Sequence, residues 1–285
     1  MRTVTVLGLA ATLGGVIWHA ARRAESAGDN TQPLVKFTAH GGGCIGRSCQ
    51  DPDLTVWPDG RIEVVLDMSG AKRAQGKLTE AQLKALMTWL TVDADVGSLK
   101  NETLEAEAKE QLAKHPPRPS IGAPPSVELE VRIDGKPHAI KQSPASAQRA
   151  GTGYAQSDRL AKIQRKLGRV MAQVVVNDDK AFAAAAEVAN KRLAETNHPG
   201  GKLEVSADDV WSARTLDDGK AVIGKLFFFF RPGLPGSKDP SAFVGVTVEI
   251  MNDGRSSAYP SIHPAPPAPP PGPPKSANAN PLRGR

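Results

Sequence analysis

The residues with the most distinctive chemistry in this chain are Cys44 and Cys49, its only two cysteines, set in the glycine-rich stretch HGGGCIGRSC. Four residues separate them, a loop short enough to close. In an oxidising compartment the pair reads as a disulfide that fixes the glycines around it. So small a loop stabilises by roughly 2 to 3 kcal/mol on chain-entropy grounds. His40 with the two thiols would instead offer three ligands to zinc or copper, but no fourth lies nearby in sequence. The spacing also differs from the C-x-x-C of redox dithiols.

Other chemistry is harder to find. The chain has no G-x-S-x-G and no H-E-x-x-H, and GAKRAQGK departs from a phosphate-binding loop in its spacing and in lacking the following Ser or Thr. GTGYAQ lacks the third glycine of a dinucleotide fingerprint. The six histidines are scattered, none at helical metal-ligand spacing from another. The acidic pairs Asp178-Asp179, Asp208-Asp209 and Asp217-Asp218 stand where caps and turns want aspartate. These patterns point to a binding protein without cofactor and not to an enzyme, with an unrecognised hydrolase as an alternative.

The segments that must position any site begin with an apolar stretch, Val4 to Ala21, flanked by Arg2, Arg22 and Arg23. As a helix of eighteen residues it would reach about 27 Å, close to the thickness of a bilayer core. Ala24 and Ser26 suit a signal-peptide cleavage site, whereas the two arginines before them suit a retained anchor. Residues 1–26 are therefore expected to be a signal peptide or membrane anchor, with the membrane met through residues 4–21 and 27–32 as a linker. The protein would then sit in the cell envelope, anchored or periplasmic, or be secreted. Much of the +6 net charge lies at the two ends, so the middle lacks the basic surface that a nucleic-acid binder needs. The row Arg159, Lys162, Arg165, Lys166 and Arg169 reads as a solvated helix face, and no nucleic-acid partner is expected.

Residues 33–176 read as one α+β module. LVKFTA is a strand. Leu54 and Val56, then Pro58-Asp59-Gly60, then Ile62 and Val64 form a hairpin signature. Thr79, with Gln82 three residues on and Leu78 and Leu83 as a staple, starts a helix with Leu83, Leu86, Met87 and Leu90 on one face. Residues 101–115 are charged and read as a surface excursion. Val127, Leu129, Val131 and Ile133 alternate into an Asp134-Gly135 turn with a return strand, and Ser157 caps a helix with Leu160, Ile163, Leu167, Val170, Met171 and Val174 as its apolar positions. This order, with GGGCIGRSCQDPDLTVWPDGRIEV and GKLTEAQLKALMTWL, resembles a bacterial family of secreted domains with a Cys-Phe-Gly-x-Cys-Pro loop ahead of a D-G hairpin. It is also similar to the emfourin-like inhibitors of thermolysin-type metalloproteases. The resemblance implies protease inhibition, with Gly42, Gly43, Ile45, Gly46 and Arg47 as contacts and an exported protease as partner. The chain departs from the first pattern by its wider cysteine spacing and by Gln50 in place of proline, and from the second by having cysteines.

Residues 178–262 read as a second α+β module, in which Asn177 or Asp178 caps a helix carrying Phe182, Ala185, Ala189 and Leu193, followed by three or four strands. The order is similar to cystatin-like and PepSY-like modules. In the run Phe227 to Phe230, alternation puts two phenylalanines on each face of a strand. One pair serves the core, and Phe228 and Phe230 could meet a partner. Residues 263–285, with eight prolines between 264 and 274, read as a disordered or polyproline tail. The expected protein is an exported or membrane-anchored binding protein of two antiparallel sheets, each with one or two helices on one face. A structural scaffold of the cell envelope is the alternative.

Overall fold

Alternating apolar positions build most of the ten strands seen in a computed structural model, which describes residues 32–40, 52–66, 72–114, 126–142, 153–217, 223–239 and 242–263. The apolar segment 4–21, the cysteine loop from Gly42 to Cys49 and the proline-rich tail lie outside the described residues. The fold is α+β, with two antiparallel sheets.

The first sheet joins β1 (Val35–His40), β2 (Leu54–Val56), β3 (Arg61–Val65), β4 (Arg73–Lys77), β5 (Ser126–Ile133) and β6 (Lys136–Gln142) in the order β4-β3-β2-β1-β5-β6. Both expected hairpins are present: β2 pairs with β3 across the Pro58-Asp59-Gly60 turn, and β5 with β6 across Asp134 and Gly135, at φ 48 and 77°. Positive φ at both central positions is what a two-residue hairpin turn requires, and Asp-Gly supplies it cheaply. One face of this sheet carries Val35, Phe37, Leu54, Val56, Ile62, Val64, Leu129 and Val131, all buried.

Three helices cover that face, not two. Helix α1 (Glu80–Thr88) begins at the expected capping box, with Gln82 N–H on Thr79 Oγ1 and Thr79 N–H on Gln82 Oε1. It continues through a π-helical turn, Trp89–Asp93, and sends Leu86 and Leu90 into the core. The charged stretch expected on the surface is helix α2 (Asn101–Lys114), and its Leu104 is fully buried in the same core. A sparse apolar content sufficed, because one leucine and Ala108 fill the contact.

Helix α3 (Ala155–Val176) follows. Ser157 does not cap it. The helix starts two residues earlier, and Ser157 lies buried in the first turn, where Glu107 of α2 receives Gln156 N–H at 3.2 Å, Ser157 N–H at 2.8 Å and Ser157 Oγ at 2.7 Å. A carboxylate from another helix thus satisfies the orphan donors of the first turn.

The second sheet has the order β10-β9-β8-β7, from β7 (Val210–Asp217), β8 (Ile223–Pro232), β9 (Phe243–Met251) and β10 (Ser256–His263). Helix α4 (Asp179–Ala194), capped by Asp178, packs Phe182 edge-on against Phe227 with ring centroids 5.8 Å apart. Its Asn190 amide pairs with the backbone of Val205 through two hydrogen bonds of 2.8 Å, as a strand neighbour would.

Helix α3 belongs to both cores. Leu160, Ile163, Leu167 and Val170 pack on the first sheet, and Ala172 and Val176 join the core of the second. Between Ala161 and Val176 runs a second helical stripe, Ala161, Arg165, Gly168, Ala172 and Val176, composed of small residues and one arginine. This stripe brings α3 against β7.

Candidate functional site

The strand alternation that buries Phe227 and Phe229 against α4 turns Phe228 and Phe230 to the opposite face of the second sheet. Cross-strand register completes that face. Phe228 stands opposite both Ser212 and Thr247, while Phe230 is opposite Gly245, which in turn faces Ser261. These residues are not closed over by a helix of their own. They form one wall of a cavity of about 650 Å³.

The second wall is α3, through Ala161, Gln164, Arg165, Gly168 and Met171. The third is one end of the first sheet, through Phe37, Ala39, Asp53, Ser126 and Val127. Trp211, 44% exposed, lies at the rim, where the β7–β8 register slips by one residue between Val210 and Ser212. The bulge re-aims the strand locally, as bulges do at sheet edges and sites.

The lining is mainly aromatic and aliphatic. The Phe230 and Phe243 rings lie 4.9 Å apart, and Phe243 stacks on His263 at 4.6 Å. The Arg165 guanidinium carbon stands 5.6 Å from the Phe230 centroid, within reach of a cation–π contact. Cation, two phenyl rings and imidazole therefore follow one another across the sheet. Arg214 makes a similar contact with Phe228 at 5.3 Å.

Arg165 is the unusual member. Its Nη1 is buried and has no hydrogen-bond partner among the described residues. Burial pushes its proton affinity below the ordinary arginine value, an effect that the negative charge of Asp158 partly opposes. Asp53, the one carboxylate in the lining, is engaged elsewhere: its Oδ2 accepts the N–H of Ala39 at 2.7 Å. An arginine that stays protonated cannot serve as a general base. It can hold an anion, and here water competes poorly for its buried face.

The basic row on α3 is solvated only in part: Lys162 and Lys166 are exposed, while Arg159, Arg165 and Arg169 are half-buried. Arg159 meets Asp95 at 3.4 Å, Lys166 lies 5.8 Å from the Trp89 centroid, and Arg169 bonds the Ala207 carbonyl at 2.7 Å and Asp208 at 2.9 Å. Arg159 and Arg169 are thus paired within the molecule, and Arg165 lines the cavity.

Of the residues singled out by sequence, Phe228 and Phe230 line this cavity. Gly42, Gly43, Cys44, Ile45, Gly46, Arg47 and Cys49 lie outside the described residues, as does the side chain of His40. The strands that flank the cysteine loop are placed, however. Ala39 and Asp53, near its two ends, both line the cavity. Among the described residues no group of three or more His, Cys, Asp or Glu could hold a metal, and no helix is long and apolar enough to cross a membrane.

Arg165, Gly168, Trp211, Phe243 and Thr247 are the members that sequence reasoning missed. The stripe of small residues at 161, 168, 172 and 176 interrupted by Arg165 was the available signal, since a helix with a second, flat face has a second partner. Fold and site together define an α+β protein with an apolar cavity between two sheets. Comparison with family models, curated proteins and solved structures gave no match.

Proposed function

We propose that this chain is a binding protein and not an enzyme, exported or anchored through residues 4–21, and that the cavity between its sheets is its binding site. The observation that carries this reading is the aromatic wall of Phe228, Phe230 and Phe243, which turns away from the α4 core onto a space of about 650 Å³. Small-molecule sites are typically about 300 to 1,000 Å³, largely apolar, with a few placed polar groups. Ser212, Thr247, Ser261 and Arg165 are such groups here.

Ala39 and Asp53, on either side of the cysteine-containing segment in sequence, line the same cavity. Protease inhibition, implied by the resemblance of residues 33–176 to emfourin-like domains, would use the loop as the contact. A scaffold role would use the proline-rich tail.

The test is titration of the full chain with a neutral, environment-sensitive apolar dye such as N-phenyl-1-naphthylamine. Saturable binding that is lost in Thr247→Phe, which fills the space opposite Phe228, is the expected result. Undiminished binding in that variant, or no binding by the wild type, would overturn the assignment of the cavity.

A further inference from the structure

We infer that the cavity takes a small amphiphilic carboxylate, its apolar chain lying on the phenylalanine wall and its carboxylate held by Arg165. This rests on the cavity being the binding site, and adds the chemistry of the ligand.

Three observations converge on it. The guanidinium Nη1 is buried without a partner, and a buried donor left unpaired costs free energy that a ligand acceptor would recover. The remaining lining offers the ligand no competing cation: apart from Arg165 its charged member is Asp53, whose carboxylate is held by the backbone of Ala39. Asp158, whose charge acts on Arg165, is itself directed to the N–H of Gly153 at 3.2 Å. The unpartnered Nη1 of Arg165 is therefore a donor suited to an anionic acceptor. A planar carboxylate matches the guanidinium fork with two parallel hydrogen bonds.

The walls set the rest of the ligand. Beyond Arg165 most of the surface is phenyl, indole and thioether, from Phe228, Phe230, Phe243, Trp211 and Met171, with the hydroxyls of Ser212, Thr247 and Ser261 among them, which favours an alkyl or aryl body. The chain's own tail is a poorer occupant on charge, because Lys275, Arg283 and Arg285 make it basic and would set like charge against Arg165.

The experiment compares decanoate with decanol on the full chain, each displacing the neutral dye below its aggregation concentration. Decanoate should compete at least tenfold more strongly than decanol in the wild type. Arg165→Gln should remove that difference while leaving decanol competition in place, which also shows that the variant is folded. Arg165→Lys, which keeps the charge but not the fork, should fall between them. Equal competition by the two ligands in the wild type, or a preference that survives Arg165→Gln, would overturn the carboxylate inference and leave the cavity standing as an apolar site. Absence of dye binding altogether would overturn both.

Discussion

At Gly168 helix α3 lies so close to β7 that a Cβ there would stand 2.1 Å from the carbonyl oxygen of Trp211. No side chain can occupy that distance. The two sheets are joined through α3, and this contact fixes the corner of the cavity where helix and bulged strand meet. Gly168→Ala should force the helix off the strand, with a loss of about 2 kcal/mol in line with overpacking a tight contact. Urea denaturation measures it, and an unchanged midpoint would show that α3 does not depend on β7.

Arg165 should act against the stability of the empty protein. Its proton affinity is lowered by burial, so the cost of holding the charge is present at every pH below its folded pKa and is relieved only above it. An arginine stays protonated across the neutral range, so the cost is present throughout it. Arg165→Met should therefore raise Tm. The gain is about 1 kcal/mol, near the lower end of the cost of an unpaired buried donor, because Arg165 as a whole is only half-buried. A fall in Tm in calorimetry would mean that the guanidinium already has a partner.

Glu107 joins α2 to the first turn of α3 through Gln156 and Ser157. Loss of a helix cap typically costs about 1 kcal/mol and a charge-assisted hydrogen bond somewhat more. Glu107→Ala should destabilise by about 2 kcal/mol and Glu107→Gln by less, since one acceptor survives. Equal losses would show that the side chain contributes by packing alone.

The β9–β10 turn should titrate late. Asp253 accepts the N–H of Arg255 at 3.0 Å and its Nε at 2.6 Å, and these bonds hold its carboxyl below the usual aspartate range. Its contribution to the turn is then full above the ordinary Asp value, about 3.9, and is lost only as pH falls through the lower folded value. Amide exchange at Arg255 through an acid titration should show the midpoint below that value, and Asp253→Asn should remove it. A midpoint at the ordinary value would mean that the bonds do not persist in solution.

The sequence made the hairpins legible because Asp-Gly turns and strict alternation at Leu54 to Val64 and Val127 to Ile133 leave little choice of register. It hid β4, Arg73–Lys77, because this edge strand turns only Ala74 and Gly76 inward, the latter against Val174, and so shows no apolar alternation. It hid the role of α2 for a similar reason: a helix that buries Leu104 and Ala108 and offers Glu107 to a neighbour has almost no apolar stripe. The phenylalanine run showed a two-faced strand, yet what met the outer pair depended on α3 and the first sheet, contacts more than fifty residues away along the chain. Arg165 looked like one of five surface cations. It lies on the helix stripe that also carries Gly168, the face packed against Trp211 of β7.

The most direct measurement follows Met171, whose side chain lines the cavity while Met87 and Met251 do not. With methionine methyl groups labelled in the full chain, and Met171→Leu to assign the signal, intermolecular NOEs from bound dye or decanoate should reach the Met171 methyl and not those of Met87 or Met251. NOEs confined to the other methionines, or none at saturating ligand, would contradict a binding site between the sheets.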